Sequence, residues 1–234
     1  MRKKMIWLVL LISALLALGA CSKKEETKVS AEAFMNAEFY LRDFEQYEKS
    51  FGKKIIESHD TAVVEQLAKQ LAELGLEEAD SKKAADAMFT VLKEKTSYQA
   101  KVLKESQDEG TVELTIKGLA TDKFEAELQR LSVEKMIELV TVAGIENVET
   151  EEDLSKLTSK ADLEKAKKVV ADFHEDPKNI NGIMIQAIAN METASEPKKV
   201  IINLETNQEQ KKYWQVKDEQ TVIADITHIL VMPY

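Results

Sequence analysis

The side chains able to carry chemistry are few and widely spaced along the chain. There are three histidines, His59, His174 and His228, and Cys21 is the only cysteine. Metal sites need several histidine, cysteine or carboxylate ligands that converge on one point. The histidines are instead scattered, two beside the ends of predicted helices and one on an apolar helical stripe. We therefore predict no metal site and no cofactor.

Motifs for covalent catalysis and phosphate binding are absent from the sequence. It contains neither the nucleophile pattern G-x-S-x-G nor the phosphate-binding patterns G-x-x-x-x-G-K-[ST] and G-x-G-x-x-G. With 42 Asp and Glu residues, some carboxylates must lie close together, so acid–base catalysis by a carboxylate pair stays open. The sequence selects no such pair, and we assign no catalytic residues.

Cys21 stands at the end of a segment typical of exported proteins. Arg2, Lys3 and Lys4 come first, and residues 5–20 carry no charge. This run is shorter than the roughly 20 apolar residues of a membrane-spanning helix. It ends in small residues, as cleaved secretory signals do. We predict a signal peptide over residues 1–20, with cleavage between Ala20 and Cys21.

The residues Leu18-Gly19-Ala20-Cys21 resemble the lipobox of bacterial lipoproteins, in which the cysteine thiol carries a diacylglycerol. The resemblance implies lipidation of Cys21, with acyl chains such as palmitate holding the protein on a membrane. Two acyl chains give lasting attachment, whereas one gives only reversible binding. Residues 21–30 are then the lipidated cysteine and a polar tether. The alternative is an uncleaved N-terminal anchor with an incidental cysteine.

This address implies a cell-envelope location. We predict the extracellular face of the cell membrane, and the alternative is an envelope membrane facing the periplasm in a cell with two membranes. The charge excludes a nucleic-acid partner, because 42 acidic residues outnumber 32 Lys and Arg. Binding to a phosphate backbone needs clustered basic residues. Cleavage before Cys21 removes three basic residues and changes the formal charge from −10 to −13.

The spacing of apolar residues predicts a helix-rich α+β fold. A helical period covers 30–51, 61–74, 81–95, 121–142, 160–174, a segment from 177 and 222–230. Alternating apolar and polar residues predict strands at 98–102, 112–116, 200–204 and 214–216. The strands form two β-hairpins, which favours one small antiparallel sheet packed by helices. We predict a single domain over 31–234, and the alternative is two subdomains, 31–118 and 119–234.

Aromatic residues cluster in the first predicted helix. Six of the fourteen aromatic residues fall within positions 34–51. Packing against the sheet would explain them, and the functional alternative is the wall of an apolar pocket. Tyr213 and Trp214 could contribute to it from the opposite side. The candidate pocket residues are Phe34, Phe39, Tyr40, Phe44, Tyr213 and Trp214.

The lipobox, the aromatic segment 33–44, the Tyr-Trp-Gln-Val strand at 213–216 and the closing helix together are similar to one family. This family consists of small Gram-positive lipoproteins that carry a domain of unknown function. The resemblance implies a sheet curled around a helix, as in cystatins and nuclear transport factor two, and it brings no catalytic residues. We predict a lipid-anchored, non-enzymatic domain that binds an envelope protein or a small apolar ligand. The alternative is an envelope hydrolase or lipid-handling enzyme.

Overall fold

The computed structural model describes residues 24–55, 59–73 and 76–231. The signal peptide, the cleavage position at Ala20 and the proposed lipidation site Cys21 lie outside the described residues. Along the described chain, all four strands fall where the hydrophobic spacing predicts them, and the helices match the predicted ranges except for a break after Phe39 and an additional short helix at Glu151–Ser155. The helices are α1 (Thr27–Phe39), α2 (Phe44–Phe51), α3 (His59–Glu73), α4 (Glu78–Lys95), α5 (Phe124–Val142), α6 (Glu151–Ser155), α7 (Lys160–Glu175), α8 (Pro177–Asn190) and α9 (Glu219–Val231).

Four strands form one open antiparallel sheet in the order β1-β2-β3-β4. They are β1 (Ser97–Glu105), β2 (Glu109–Lys117), β3 (Lys198–Thr206) and β4 (Trp214–Val216). In the second hairpin, Leu204 faces Val216 and Thr206 faces Trp214. Side chains of β2 alternate between buried and partly exposed, as a strand with one covered face requires. The α+β class is thus confirmed.

The predicted helix over residues 30–51 is wrong in one respect, because the chain breaks into α1 and α2. Leu41 and Asp43 have φ angles of 50° and 59°, in the left-handed region that a helix cannot include. The Asn36 side chain holds the break: its Nδ2 donates to the Asp43 carboxylate at 2.7 Å, and its Oδ1 accepts from Arg42. Both helices bury apolar residues, so a helical period continues across the break and conceals it.

The chain divides into two compact units. Among the described residues, the first comprises 24–55, 99–115 and 199–224, and the second comprises 59–73 with 76–98, 116–198 and 225–231. Each unit draws on three separate stretches of sequence. The single domain predicted over 31–234 and its alternative stay predictions. Large buried side chains of the first unit are Phe34, Met35, Val112, Leu114, Ile202, Leu204 and Trp214.

Helices supply the cores of the second unit. Leu131 of α5, Phe173 of α7 and Ile183 of α8 form one buried cluster. A further cluster joins Ala84 of α4 to Ile188 of α8. Within residues 24–55, 59–73 and 76–231, no helix combines the length and the apolar character needed to cross a bilayer.

Candidate functional site

The aromatic segment of the first unit packs mainly on itself. Phe34 is fully buried, and its ring meets those of Phe39 and Phe51 edge-on, with both centroids 6.3 Å away. The ring centroids of Tyr47 and Phe51 lie 4.8 Å apart. Edge-to-face contacts at this spacing are the favourable geometry for aromatic side chains. The structure therefore brings Phe34 and Phe39 together, and Phe34 contributes to a packed core.

Tyr47 adds a buried polar group to this aromatic cluster. Burial, followed by the charge and hydrogen bond of Glu38 and the charge of Glu219, raises the pKa of the Tyr47 phenol far above its usual range. The phenol therefore stays neutral, and its hydroxyl can donate to the Glu38 carboxylate. Glu219 in turn lies 3.1 Å from the Lys53 ammonium. Buried side-chain atoms without a hydrogen-bond partner in α1 and α2 are Ser30 Oγ, Gln46 Nε2 and Ser50 Oγ.

The other candidate pocket residues lie near the ends of α1 and α2. Tyr40 is only 3% exposed, and the Arg42 guanidinium sits 5.1 Å from its ring. Phe44 is half-buried at the start of α2. Tyr213 lies against Gly52, where any Cβ would overlap its ring. Tyr213 is thus brought to the end of α2, and the pocket itself remains a prediction.

Trp214 makes a different contact, with the first described residues of the chain. The Lys24 ammonium lies 4.4 Å from the centre of the Trp214 ring, a cation–π contact. It also donates to the Gln107 carbonyl at 2.5 Å and to the Thr206 hydroxyl, and it lies 3.8 Å from the Asp108 carboxylate. As a result the Lys24 side chain is only 15% exposed.

The next residues continue this attachment. The Trp214 indole Nε1 donates to the Glu25 carbonyl at 2.7 Å. Thr27 is fully buried, and its hydroxyl donates to the Glu105 carboxylate at 2.8 Å. Gly110 faces it so closely that any Cβ there would overlap the Thr27 side chain. We call residues 24–27 with these partners the N-terminal clamp.

The clamp includes residues that sequence reasoning did not select as functional. Residues 24–30 of the predicted polar tether belong to the clamp and to α1, which begins at Thr27. One sequence signal for this attachment is Trp214, because a buried tryptophan usually needs a partner for its indole N–H. The sequence gave no means of choosing the Glu25 carbonyl as that partner.

Two open cavities lie in the second unit. A cavity of about 250 Å³ is lined by the backbone around Gly118, which lies so close to the Ile229 carbonyl that no side chain would fit. At its rim, the Lys123 ammonium pairs with Glu192 at 2.7 Å, and this pair raises the pKa of Lys123. Other lining residues are Thr121, Asp122, Thr193, Ser195, Glu196 and Lys198.

The second cavity, of about 500 Å³, lies between α5 and α8. Leu131 and Ile183 contribute its apolar part, and Glu134, Glu138 and Lys178 are among its charged residues. No motif in the sequence indicated either cavity. In the described part of the chain, no group of three or more histidine, cysteine, aspartate or glutamate side chains is arranged to hold a metal ion.

The described histidines occupy separate positions. His174 is exposed in the last turn of α7, with its ring 5.2 Å from that of Phe173. His228 is half-buried on α9. The His59 side chain is not among those described.

A comparison with protein families identifies the class. Residues 18–138 match the family described as a domain of unknown function, DUF5105. The match covers just over half of the chain, and the chain belongs to this family. The predicted relationship to proteins that carry a domain of unknown function is therefore confirmed.

Among solved structures, the chain is similar to ycdA of Bacillus subtilis, a protein proposed to be a lipoprotein. The TM-score is 0.54 at 18% sequence identity, and the alignment covers 91% of this chain and 58% of ycdA. At this identity the likeness concerns the fold alone. Because the alignment covers 58% of ycdA, the chain spans less than two thirds of the length of that protein. The predicted cystatin-like curl of the sheet is not confirmed. No curated protein matches the chain.

Proposed function

We propose that this protein is a surface lipoprotein, anchored through Cys21 to the extracellular face of the cell membrane, whose folded part binds a ligand or partner without catalysis. The observation that carries this proposal is the order of basic residues, sixteen uncharged residues and Leu18-Gly19-Ala20-Cys21. Cleavage before Cys21 leaves an N-terminal cysteine. A diacylglycerol on its thiol supplies the two acyl chains that lasting attachment needs.

One further observation supports the lipoprotein assignment. The structurally similar ycdA is itself proposed to be a lipoprotein.

Lipidation is tested by expressing the full chain in a Gram-positive host fed with an alkyne analogue of palmitate. We expect the wild-type chain to carry the label and to lack residues 1–20. Cys21→Ala removes the thiol, so this variant should keep its signal peptide and carry no label. Ser22→Ala, a change at the next position, is the control and should be labelled normally. Label retained by Cys21→Ala would contradict the assignment.

For the binding role, we propose a small apolar ligand held by the aromatic residues near α1, α2 and β4. Support comes from the half-buried rings of Phe39, Phe44 and Tyr213, because apolar ligands are usually held among aromatic side chains. The buried hydroxyls of Ser30 and Ser50, which lack hydrogen-bond partners, would suit a ligand that also carries a polar group. An envelope protein is the alternative partner.

Mass spectrometry of the mature lipoprotein, purified in mild detergent, tests the ligand. We expect a reproducible co-purifying mass in the wild type that is reduced in Phe39→Ala. Phe89→Ala provides a matched control, because Phe89 is also half-buried but belongs to α4 of the second unit. Equal amounts of ligand in both variants would place the ligand elsewhere. A wild-type protein without bound mass would shift the proposal to the envelope protein, which crosslinking in intact cells would identify.

A further inference from the structure

The N-terminal clamp holds Lys24 against two hairpin turns of the sheet. Lys24 contacts the carbonyl of Gln107 in the β1–β2 turn and the hydroxyl of Thr206 at the end of β3. The Thr206 amide donates to the Asp108 carbonyl at 2.9 Å, so the two hairpin turns lie side by side. We call these turns, residues 106–109 and 207–212, the turn face. Lys24 is therefore held beside the turn face instead of moving freely.

Few residues separate this point from the proposed lipid. Three peptide steps connect Cys21 to Lys24, and an extended chain spans at most about 3.6 Å per residue, or roughly 11 Å in total. The acyl chains of a lipidated Cys21 enter the hydrocarbon, which places the cysteine backbone at the level of the headgroups. A solvated tether through residue 30 would instead allow roughly 32 Å and any orientation of the domain. The clamp removes that freedom.

The turn face is polar and carries charges of both signs. Its exposed charged side chains are Asp108, Glu109, Glu209, Lys211 and Lys212, with a formal sum of −1. The two lysines can pair with lipid phosphates. The short connection to Cys21, and not the net charge of the face, therefore points to the membrane as its partner. The neighbouring Tyr213 is half-buried, and tyrosine is enriched at membrane interfaces.

We propose that the turn face lies against the headgroup layer of the membrane that holds Cys21, with phospholipid headgroups as its partner. This inference rests on the proposed lipidation. The strand β1 then leads away from the bilayer: Gln99 lies six residues before Glu105, which corresponds to roughly 20 Å along a strand. The first unit is thus attached with a defined orientation.

Two matched cysteine variants of the full chain test this arrangement. Gln107→Cys lies on the turn face, and Gln99→Cys lies on β1 of the same unit; both glutamines are exposed. Lys24 binds the backbone carbonyl of residue 107, so the clamp survives the substitution. Cys21 is the only native cysteine, and lipid blocks its thiol, so each variant has one reactive thiol.

The processed variants are labelled with a fluorophore and reconstituted into vesicles of phosphatidylglycerol and phosphatidylethanolamine. A phospholipid with a nitroxide on its headgroup serves as quencher. We expect quenching to be several-fold stronger at position 107 than at position 99. Equal quenching at the two positions, or stronger quenching at position 99, would overturn the proposed orientation.

A spacer insertion examines the role of the short connection. Ten Gly and Ser residues between Ser22 and Lys23 leave the clamp intact and add a flexible chain of roughly 17 Å root-mean-square length. We expect this insertion to reduce the quenching at position 107 toward the value at position 99. Unchanged strong quenching would show that the short connection does not place the turn face at the membrane, and would overturn the inference.

Mass analysis of the same samples separates the two proposals. Absence of lipid on Cys21 would refute the proposed function itself. Lipid on Cys21 together with equal quenching at positions 99 and 107 would leave the lipoprotein assignment intact and refute only the orientation.

Discussion

Trp214 of β4 contacts Lys24 through its ring and Glu25 through its indole N–H. The ring lies beneath the Lys24 ammonium, and the N–H donates to the Glu25 carbonyl. A cation over an aromatic face contributes about 0.5–1 kcal/mol when exposed and more when water is excluded. Because the Lys24 side chain is largely buried, the contact belongs nearer the upper end of that range. This single side chain thus links β4 to the residues that follow the proposed lipid anchor.

The close approach of Gly110 to Thr27 leads to a prediction about the clamp. We expect Gly110→Ala to lower the free energy of unfolding by about 1–3 kcal/mol, the usual cost of overpacking a buried contact. Thr27→Ser removes the methyl group nearest to the new Cβ and keeps the hydroxyl that Glu105 accepts from. The double variant should therefore recover part of the loss, as measured by urea unfolding. Strictly additive losses would contradict a direct contact.

The ion pair around Glu127 predicts a pH effect in the second unit. Arg130 donates to both carboxylate oxygens at 2.8 Å, and Asn190 donates to one of them at 2.8 Å. These contacts, led by the Arg130 hydrogen bond, lower the pKa of Glu127 to about 2 from a reference of 4.5. A pKa that is lower in the folded state gives stability above pH 4.5, which is lost as the pH falls toward 2.

We expect Glu127→Gln to be less stable than the wild type at pH 7, with a difference that shrinks between pH 4.5 and pH 2. Thermal unfolding across this range measures the effect. Glu125→Gln, an exposed change on the same helix, is the control. A stability difference between wild type and Glu127→Gln that stays constant down to pH 2 would exclude the proposed ion-pair linkage.

At the N-termini of α6 and α8, a capping side chain explains where the helix begins. Asp176 caps α8, and its carboxylate accepts from the Lys178 amide at 3.0 Å. Pro177 occupies the first turn, where its missing N–H costs nothing. The acidic segment near residue 150 likewise begins a helix, in which Thr150 and Asp153 form a reciprocal capping box.

The α8 cap supplies a prediction for a single helix. We expect Asp176→Ala to reduce the free energy of unfolding by about 1 kcal/mol, because the α8 N-terminus loses a hydrogen-bond acceptor. Asp176→Asn should restore most of the loss, since an amide oxygen also accepts from the backbone. Chemical denaturation measures both variants, and Glu175→Ala in α7 serves as the control. A loss in Asp176→Asn as large as that in Asp176→Ala would argue against capping.

The break between α1 and α2 shows where spacing alone misleads. Phe34 and Phe51 both point into the core, so the apolar period predicts one helix across them. The break depends on left-handed backbone at Leu41 and Asp43 and on side-chain hydrogen bonds of Asn36. Neither residue type at these positions is a strong helix breaker, so the sequence contains no clear stop signal before Gly52.

For the whole molecule, the formal charge determines which surfaces the protein can approach. The full chain carries a formal charge of −10, removal of residues 1–20 would change it to −13, and the basic residues are interleaved with acids along most of the chain. We expect the delipidated protein to bind an anion exchanger at pH 7 and to show no binding to duplex DNA in 50 mM salt by fluorescence anisotropy. Micromolar DNA binding that weakens steeply with added salt would contradict this expectation, because it would reveal a basic surface.

The sequence by itself determined the α+β class and the position of most elements, and it carries the signal from which the address at Cys21 is proposed. These properties depend on residues close together in the chain: the period of apolar side chains, a capping carboxylate, a basic and apolar leader. Only the tertiary structure decided that Lys24 and Glu25 are attached to β4 instead of forming part of a free tether. Glu25 and Trp214 are 189 positions apart, and their contact exists because the sheet brings them together. No local pattern specifies a pairing over that distance, since it follows from how all the intervening elements pack.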